Sequence, residues 1–130
     1  MVGLPEIGEG MNLAELIADQ AAALGTPMIP GDIIVIAQKI LSKAEGRRVP
    51  LSSVAPDARA KALAVQTGKD ARLVALILAE SSAILRAVPG VLITRHRLGF
   101  VAANAGIDQS NVPDGDDHAL LLPLDPDTSA

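Results

Sequence analysis

Cysteine, tryptophan and tyrosine are all absent from this 130-residue chain, and a single phenylalanine, Phe100, is its whole aromatic content. Without cysteine there is no disulfide framework and no thiolate metal site, and the redox compartment is left open. Without aromatics a core must be assembled from Leu, Ile, Val and Ala, and a binder of single-stranded nucleic acid lacks its stacking surfaces. No run reaches the eighteen or so apolar residues of a membrane-spanning helix. The start, Met1 to Glu6, has neither a charged n-region nor an apolar h-region, so it does not read as a signal peptide, and a soluble cytoplasmic protein is expected.

Cations are missing from the last part of the chain. All eleven Lys and Arg residues lie at or before Arg97, and six aspartates follow it: Asp108, Asp114, Asp116, Asp117, Asp125 and Asp127. A stretch that attracts anions followed by one that attracts cations suits a metal–nucleotide site, and it also suits a plain solvated acidic loop. The net charge of -4 argues against nucleic acid as a partner. The length fits one modest domain, and 49% hydrophobic with 20% charged residues is globular composition.

Asn12, with Glu15 three residues on, reads as the start of a helix carrying Leu13, Leu16, Ile17, Ala21 and Leu24 at helical spacing and ending at Gly25 and Pro27. Pro30-Gly31-Asp32 is a turn. The run Ile33-Ile34-Val35-Ile36-Ala37 reads as a strand buried on both faces. Just past it, Lys39, Lys43 and Arg47 are spaced by four, so a helix would put them on one face, where sheet proteins often bind ligands. A basic helix rim is the competing reading, and the glycine spacing does not match a Walker A loop.

A helix is expected from about Asp57 to Thr67, stopping at Gly68. Another starts near Asp70, with Leu73, Leu76, Ile77, Ile84 and Leu85 as its apolar stripe and Pro89-Gly90 as its break. Glu80 falls inside that helix and reads as either a solvated residue or the partner of a buried polar group, with a structural role preferred. Val91–Thr94, Gly99–Ala103 and Ala119–Leu122 read as strands, and His96, between two arginines, as an exposed turn residue. Asp125-Pro126-Asp127-Thr128 is a helix start with Asp127 or Thr128 as cap, the pattern of a chain cut at an N-cap. No composition shift suggests a second domain.

The richest segment is Asn104-Ala105-Gly106-Ile107-Asp108-Gln109-Ser110-Asn111. Gly106 supplies a tight turn, Asp108 a hard oxygen ligand suited to Mg²⁺ or Mn²⁺, and Asn104, Ser110 and Asn111 neutral donors and acceptors. A loop whose Asn and Asp side chains cap their own backbone is the alternative.

These segments together resemble the coenzyme F420 gamma-glutamyl ligases. The resemblance runs in order through Gly3-Leu4-Pro5-Glu6-Ile7, Gly31-Asp32, Ile40-Leu41-Ser42-Lys43-Ala44-Glu45-Gly46-Arg47, Glu80-Ser81, the Asn104–Asn111 segment, Leu120-Leu121-Leu122-Pro123 and Asp125-Pro126-Asp127. It implies an α+β fold with a mixed sheet and packed helices. The chain would be the N-terminal part, residues 1–130, of an intertwined homodimeric ligase, with the second half and its metal ligands absent. It implies that Leu4, Pro5, Glu6 and Ile7 pack on a guanine nucleotide, with Gln38, Lys39, Lys43 and Asn111 as further nucleotide contacts and Asp108 as the first metal carboxylate. The implied substrates are GTP, L-glutamate and the deazaflavin coenzyme precursor, with Mg²⁺ or Mn²⁺ and an accessory K⁺. The implied catalytic residues are Lys43 and Asp108, and the piece alone is expected to be inactive. The alternative is a non-catalytic nucleotide-binding or partner-pairing module.

Overall fold

Asn12 caps helix α1 (Leu13–Ala23) through its side-chain oxygen, which accepts the Glu15 amide at 3.3 Å. The computed structural model describes residues 3–109 and 117–129. Its chain divides into two compact units, Arg48–Leu121 on the one hand and Met1–Arg47 with Leu122–Ala130 on the other.

The larger unit holds the main core. Helix α3 (Ala58–Thr67) starts where the Asp57 carboxylate accepts the Ala60 amide at 2.7 Å, and it ends at Gly68 with φ +67°. Helix α4 (Ala71–Ala79) is capped in the same way, Asp70 accepting the Arg72 amide at 2.7 Å. Hydrogen bonding from the Arg72 side chain, foremost, holds the Asp70 carboxyl below its ordinary value, and Arg72 is raised in return. Leu63 and Ala64 of α3 and Leu73, Val74 and Ile77 of α4 join Leu51, Leu92, Ile107 and Leu121 in one buried cluster. At about 25 cal/mol per Å², closing such aliphatic faces is the main driving force available to a chain without aromatics.

Two small sheets complete this unit. Strands β2 (Ser81–Val88), β3 (Val91–His96) and β4 (Val101–Ala103) pair in that order, and β1 (Arg48–Pro50) pairs with β5 (His118–Leu120). Among the described residues every pairing is antiparallel, so the α+β class holds and the expected mixed sheet does not form among them. The reason is connectivity: β2, β3 and β4 follow one another through short turns, and tight turns join only antiparallel strands.

The expected helix through Leu85 is also corrected. It ends at Ala79, and Ile84 and Leu85 lie on β2, where adjacent residues face opposite ways; accordingly Ile84 is half-buried and Leu85 exposed. Pro89-Gly90 is the turn of the β2–β3 hairpin, Val88 standing opposite Val91. Glu80 occupies the C-cap of α4, not its interior.

His96 is fully buried rather than exposed. Its ring stacks on Phe100 at 4.7 Å and 10°, and its Nδ1 accepts the Leu98 amide at 3.1 Å. That acceptor role leaves the proton on Nε2, which stands 3.4 Å from the Glu80 carboxylate, while Arg97 Nε donates to the same oxygen at 3.0 Å. Glu80 thus faces the buried His96 ring and pairs with Arg97, a structural use.

In the smaller unit the expected strand Ile33–Ala37 belongs to no helix or sheet of the described residues, and its residues are exposed. A strand is a pairing, and no described residue pairs with it. The terminal turn, α5 (Pro126–Ser129), does form; its cap is Asp125, which accepts from the Asp127 and Thr128 amides at 3.2 Å each, in place of the expected Asp127 or Thr128. No described helix is long and apolar enough to cross a membrane.

Candidate functional site

The cations after the apolar run are set by helix α2 (Gln38–Ala44). Lys39 and Lys43, four apart, share a face of it. Arg47 does not join them. The helix closes before it, with the Gly46 amide donating to Lys43 O at 3.1 Å and the Arg47 amide to Ser42 O at 2.8 Å. Arg47 Nε then donates to the Leu122 carbonyl at 2.8 Å, so this cation anchors backbone. Gly46 has a direct physical reason: its φ is +66°, and a Cβ there would lie 2.5 Å from the Glu9 carboxylate. Ser42, fully buried, receives a hydrogen bond from Gln38 Nε2, which ties Gln38 to the helix. Lys43 sits half-buried in the last turn, where its charge also complements the helix C-terminus.

In the same unit Leu4 lines a cavity of about 250 Å³ with Leu13, Leu16, Ile17 and Ile40. Pro5 and Glu6 beside it are exposed and Ile7 is half-buried. An apolar wall next to an exposed carboxylate can take one flat face of a ligand and accept hydrogen bonds from its edge.

Asp108 belongs to the larger unit, and its position is set by the backbone on both sides. Its amide donates to Leu120 O at 3.0 Å and its carbonyl accepts the Leu120 amide at 2.8 Å. Before it comes a feature that reading the sequence did not foresee. Asn104, Ala105 and Gly106 all have positive φ, +52°, +54° and +72°, a run of left-handed backbone in which two residues carry a Cβ. Left-handed geometry costs a residue with Cβ roughly 1–2 kcal/mol. Such strain persists where the surroundings hold it, and it clusters at functional sites. Here Ala105 is fully buried and the Ile107 amide closes the turn on Asn104 O at 3.0 Å. The available clue was that Asn tolerates this region, so Asn-Ala-Gly offers two willing left-handed residues around one unwilling one.

The Asn104 Oδ1 atom is buried without a hydrogen-bond partner. A buried carbonyl oxygen four residues before a carboxylate offers oxygen donors of the hard type Mg²⁺ or Mn²⁺ prefers. The donor type therefore fits a divalent ion. Among the described residues no group of three acidic or histidine side chains gathers as a metal centre, so what is present fits one part of such a site. Asn111, the remaining nucleotide candidate, and its neighbour Ser110 lie outside the described residues. Of the candidates, then, Leu4 to Ile7, Gln38, Lys39 and Lys43 fall in the smaller unit and Asp108 in the larger.

The sequence profile of the family described as F420-0:Gamma-glutamyl ligase matches residues 1–130. The chain is 48% identical over 128 residues to a coenzyme F420:L-glutamate ligase of Methanothermobacter thermautotrophicus, covering 98% of this chain and 50% of that protein. It is 45% identical to the protein of that name from Methanopyrus kandleri, with 96% and 47% covered, and 44% identical to that from Archaeoglobus fulgidus, with 98% and 48% covered. The chain thus spans about half the length of the curated relatives it matches. It belongs to the F420-0:gamma-glutamyl ligase family.

Proposed function

We propose that this chain supplies the nucleotide-facing part of a ligase that joins L-glutamate to the deazaflavin coenzyme F420 precursor at the expense of GTP. The observation that carries the reading is family membership across the whole chain, with Lys43 and Asp108 standing in motifs that have a physical reason for their glycines. The chemistry asks for little covalent help. A carboxylate oxygen of the precursor attacks the γ-phosphorus of GTP, the bond to the β-phosphate oxygen breaks, and GDP leaves. The amine of glutamate then attacks the acyl carbon, phosphate departs, and an amide remains.

In this reading the Lys43 ammonium, with Lys39 on the same helix face, neutralises phosphate charge, a task that dominates phosphoryl transfer. Leu4, Pro5 and Ile7 pack against the guanine, and the Glu6 carboxylate accepts from its ring N–H groups. Gln38 and Asn111 add polar contacts to the nucleotide. Asp108 is the residue of this chain that would hold Mg²⁺ or Mn²⁺, with Asn104 Oδ1 available beside it in sequence. Such an ion, when bound, would supply charge stabilisation to the phosphates during transfer. A K⁺ ion and pairing of two complete copies belong to the same proposal, as does cytoplasmic residence.

Because the relatives are about twice as long, the isolated 130 residues are expected to show little or no glutamate addition. The test is GTP titration by calorimetry, with and without Mn²⁺. Binding that Lys43→Ala weakens supports the assignment; unchanged affinity in that variant contradicts it. Nucleotide binding that never leads to turnover, even in a complete enzyme, would leave a binding module instead.

A further inference from the structure

Helix α2, which carries Lys39 and Lys43, has seven residues, and no side chain caps its start at Ala37. A helix this short does not hold itself in water, because nucleation is costly and most of its backbone groups lie in the unpaired end turns. Its last turn is instead gripped by chain from two distant stretches. The Gly10 amide donates to the Ala44 carbonyl at 2.8 Å, an acceptor that the helix leaves open. From the other direction, Arg47 Nε donates to the carbonyl of Leu122, 75 residues away in sequence, at 2.8 Å, and the Ser129 hydroxyl donates to the Glu45 carboxylate. The Arg47 amide meanwhile closes on Ser42 O at 2.8 Å. All of these residues belong to the smaller unit, and Lys43 stands inside the grip, one residue before Ala44.

A lysine ammonium is a point charge on a flexible four-carbon stem, so what it contributes at a site depends on where its backbone is held. Arg47 is half-buried, and its Nε–H is used on backbone. Without that donor the Leu122 carbonyl loses a partner and the last turn of α2 loses one of its few outside contacts. Lys43 would then keep its charge and lose its aim.

We propose that Arg47 is a positioning residue: bonded to Leu122, it fixes the last turn of α2 and with it the Lys43 ammonium, without touching the nucleotide. The inference rests on the reading of Lys43 as a phosphate-facing cation.

The experiment is a double-mutant cycle on the GTP affinity of the 130-residue chain, measured by calorimetry, with amide hydrogen exchange on each variant. Arg47→Met keeps the stem and removes donor and charge. Arg47→Gln removes the charge but places an N–H on Cδ, where the arginine has its own. Arg47→Met should weaken GTP binding about fivefold, of the order of one hydrogen bond, and should weaken it no further once Lys43 is Ala. Arg47→Gln should recover most of that loss. In Arg47→Met the amides of residues 41–47 should exchange about tenfold faster, with α1 unchanged. Additive effects of Arg47→Met and Lys43→Ala, a glutamine variant as weak as the methionine one, or unaltered exchange in α2 would each overturn the proposal while leaving the nucleotide reading intact. Unchanged GTP affinity in Lys43→Ala alone would contradict the nucleotide reading, and this proposal with it.

Discussion

Asp108 and Leu120 exchange both backbone hydrogen bonds, the amide of each reaching the carbonyl of the other at 3.0 and 2.8 Å. The carboxylate takes no part in that pair, so position and chemistry are separable at this residue. Asp108→Asn keeps both of these backbone hydrogen bonds. It should also remove the part of GTP affinity that Mn²⁺ adds. Lys43→Ala should weaken GTP binding by about tenfold or more, the loss of one charge-assisted contact to phosphate. Calorimetric titration of the two variants with and without Mn²⁺ separates these effects.

Gly106 carries φ +72° at the end of the left-handed turn that leads to Asp108. Gly106→Ala should destabilise the larger unit by about 1–2 kcal/mol, because the added Cβ must accept left-handed backbone. Urea unfolding followed by circular dichroism reads this directly. No loss in that variant would mean that the turn can relax, and the strain argument would fail.

Glu80 is 8% exposed and serves both His96, which is completely buried, and Arg97. Glu80→Ala removes the acceptor facing a buried N–H and should cost about 2–4 kcal/mol. Glu80→Gln keeps an acceptor and should cost less. The ordering of the two urea midpoints is the check, and equal midpoints would remove the carboxylate from the account.

Asp70 caps α4 and pairs with Arg72, which holds its carboxyl below the ordinary value of 3.8. A lowered folded-state value means stability that is present above the unfolded value and lost as pH falls through the folded one. The pair is well exposed, with side-chain exposures of 36% for Arg72 and 39% for Asp70, so screening keeps the electrostatic part small. Asp70→Asn retains a cap and should flatten the fall in melting temperature below about pH 4, while Asp70→Ala should lose about 1 kcal/mol at neutral pH. Melting curves across that range distinguish the two contributions.

What the sequence made legible was whatever is decided within one turn of chain. Asn12, Asp57 and Asp70 each cap a helix, and Gly68 ends one, because a cap is a contact between residues two or three apart. What it hid depends on distant partners. Ile84 and Leu85 continue the helical spacing of Leu73, Leu76 and Ile77, yet pairing with β3 claims them for a strand. His96 sits between two arginines and is nonetheless buried, because Glu80, Leu98 and Phe100 enclose its ring. Ile33–Ala37 is composed as a strand and lacks a neighbour among the described residues. The candidate site shows the same split. The motif glycines were legible, whereas the left-handed Asn104 and Ala105 and the diversion of Arg47 to Leu122 needed the fold.

GTP handling by these residues within a complete glutamate ligase is what we propose. Its most direct test is GTP-dependent addition of L-glutamate to the F420 precursor by this chain co-expressed with the remaining portion of the Methanothermobacter ligase, each also assayed alone. Amide product with GDP release is expected from the pair, none from either alone, and loss of product with Asp108→Ala. Product from the 130 residues alone, product that survives Asp108→Ala, or no product from the pair would contradict it.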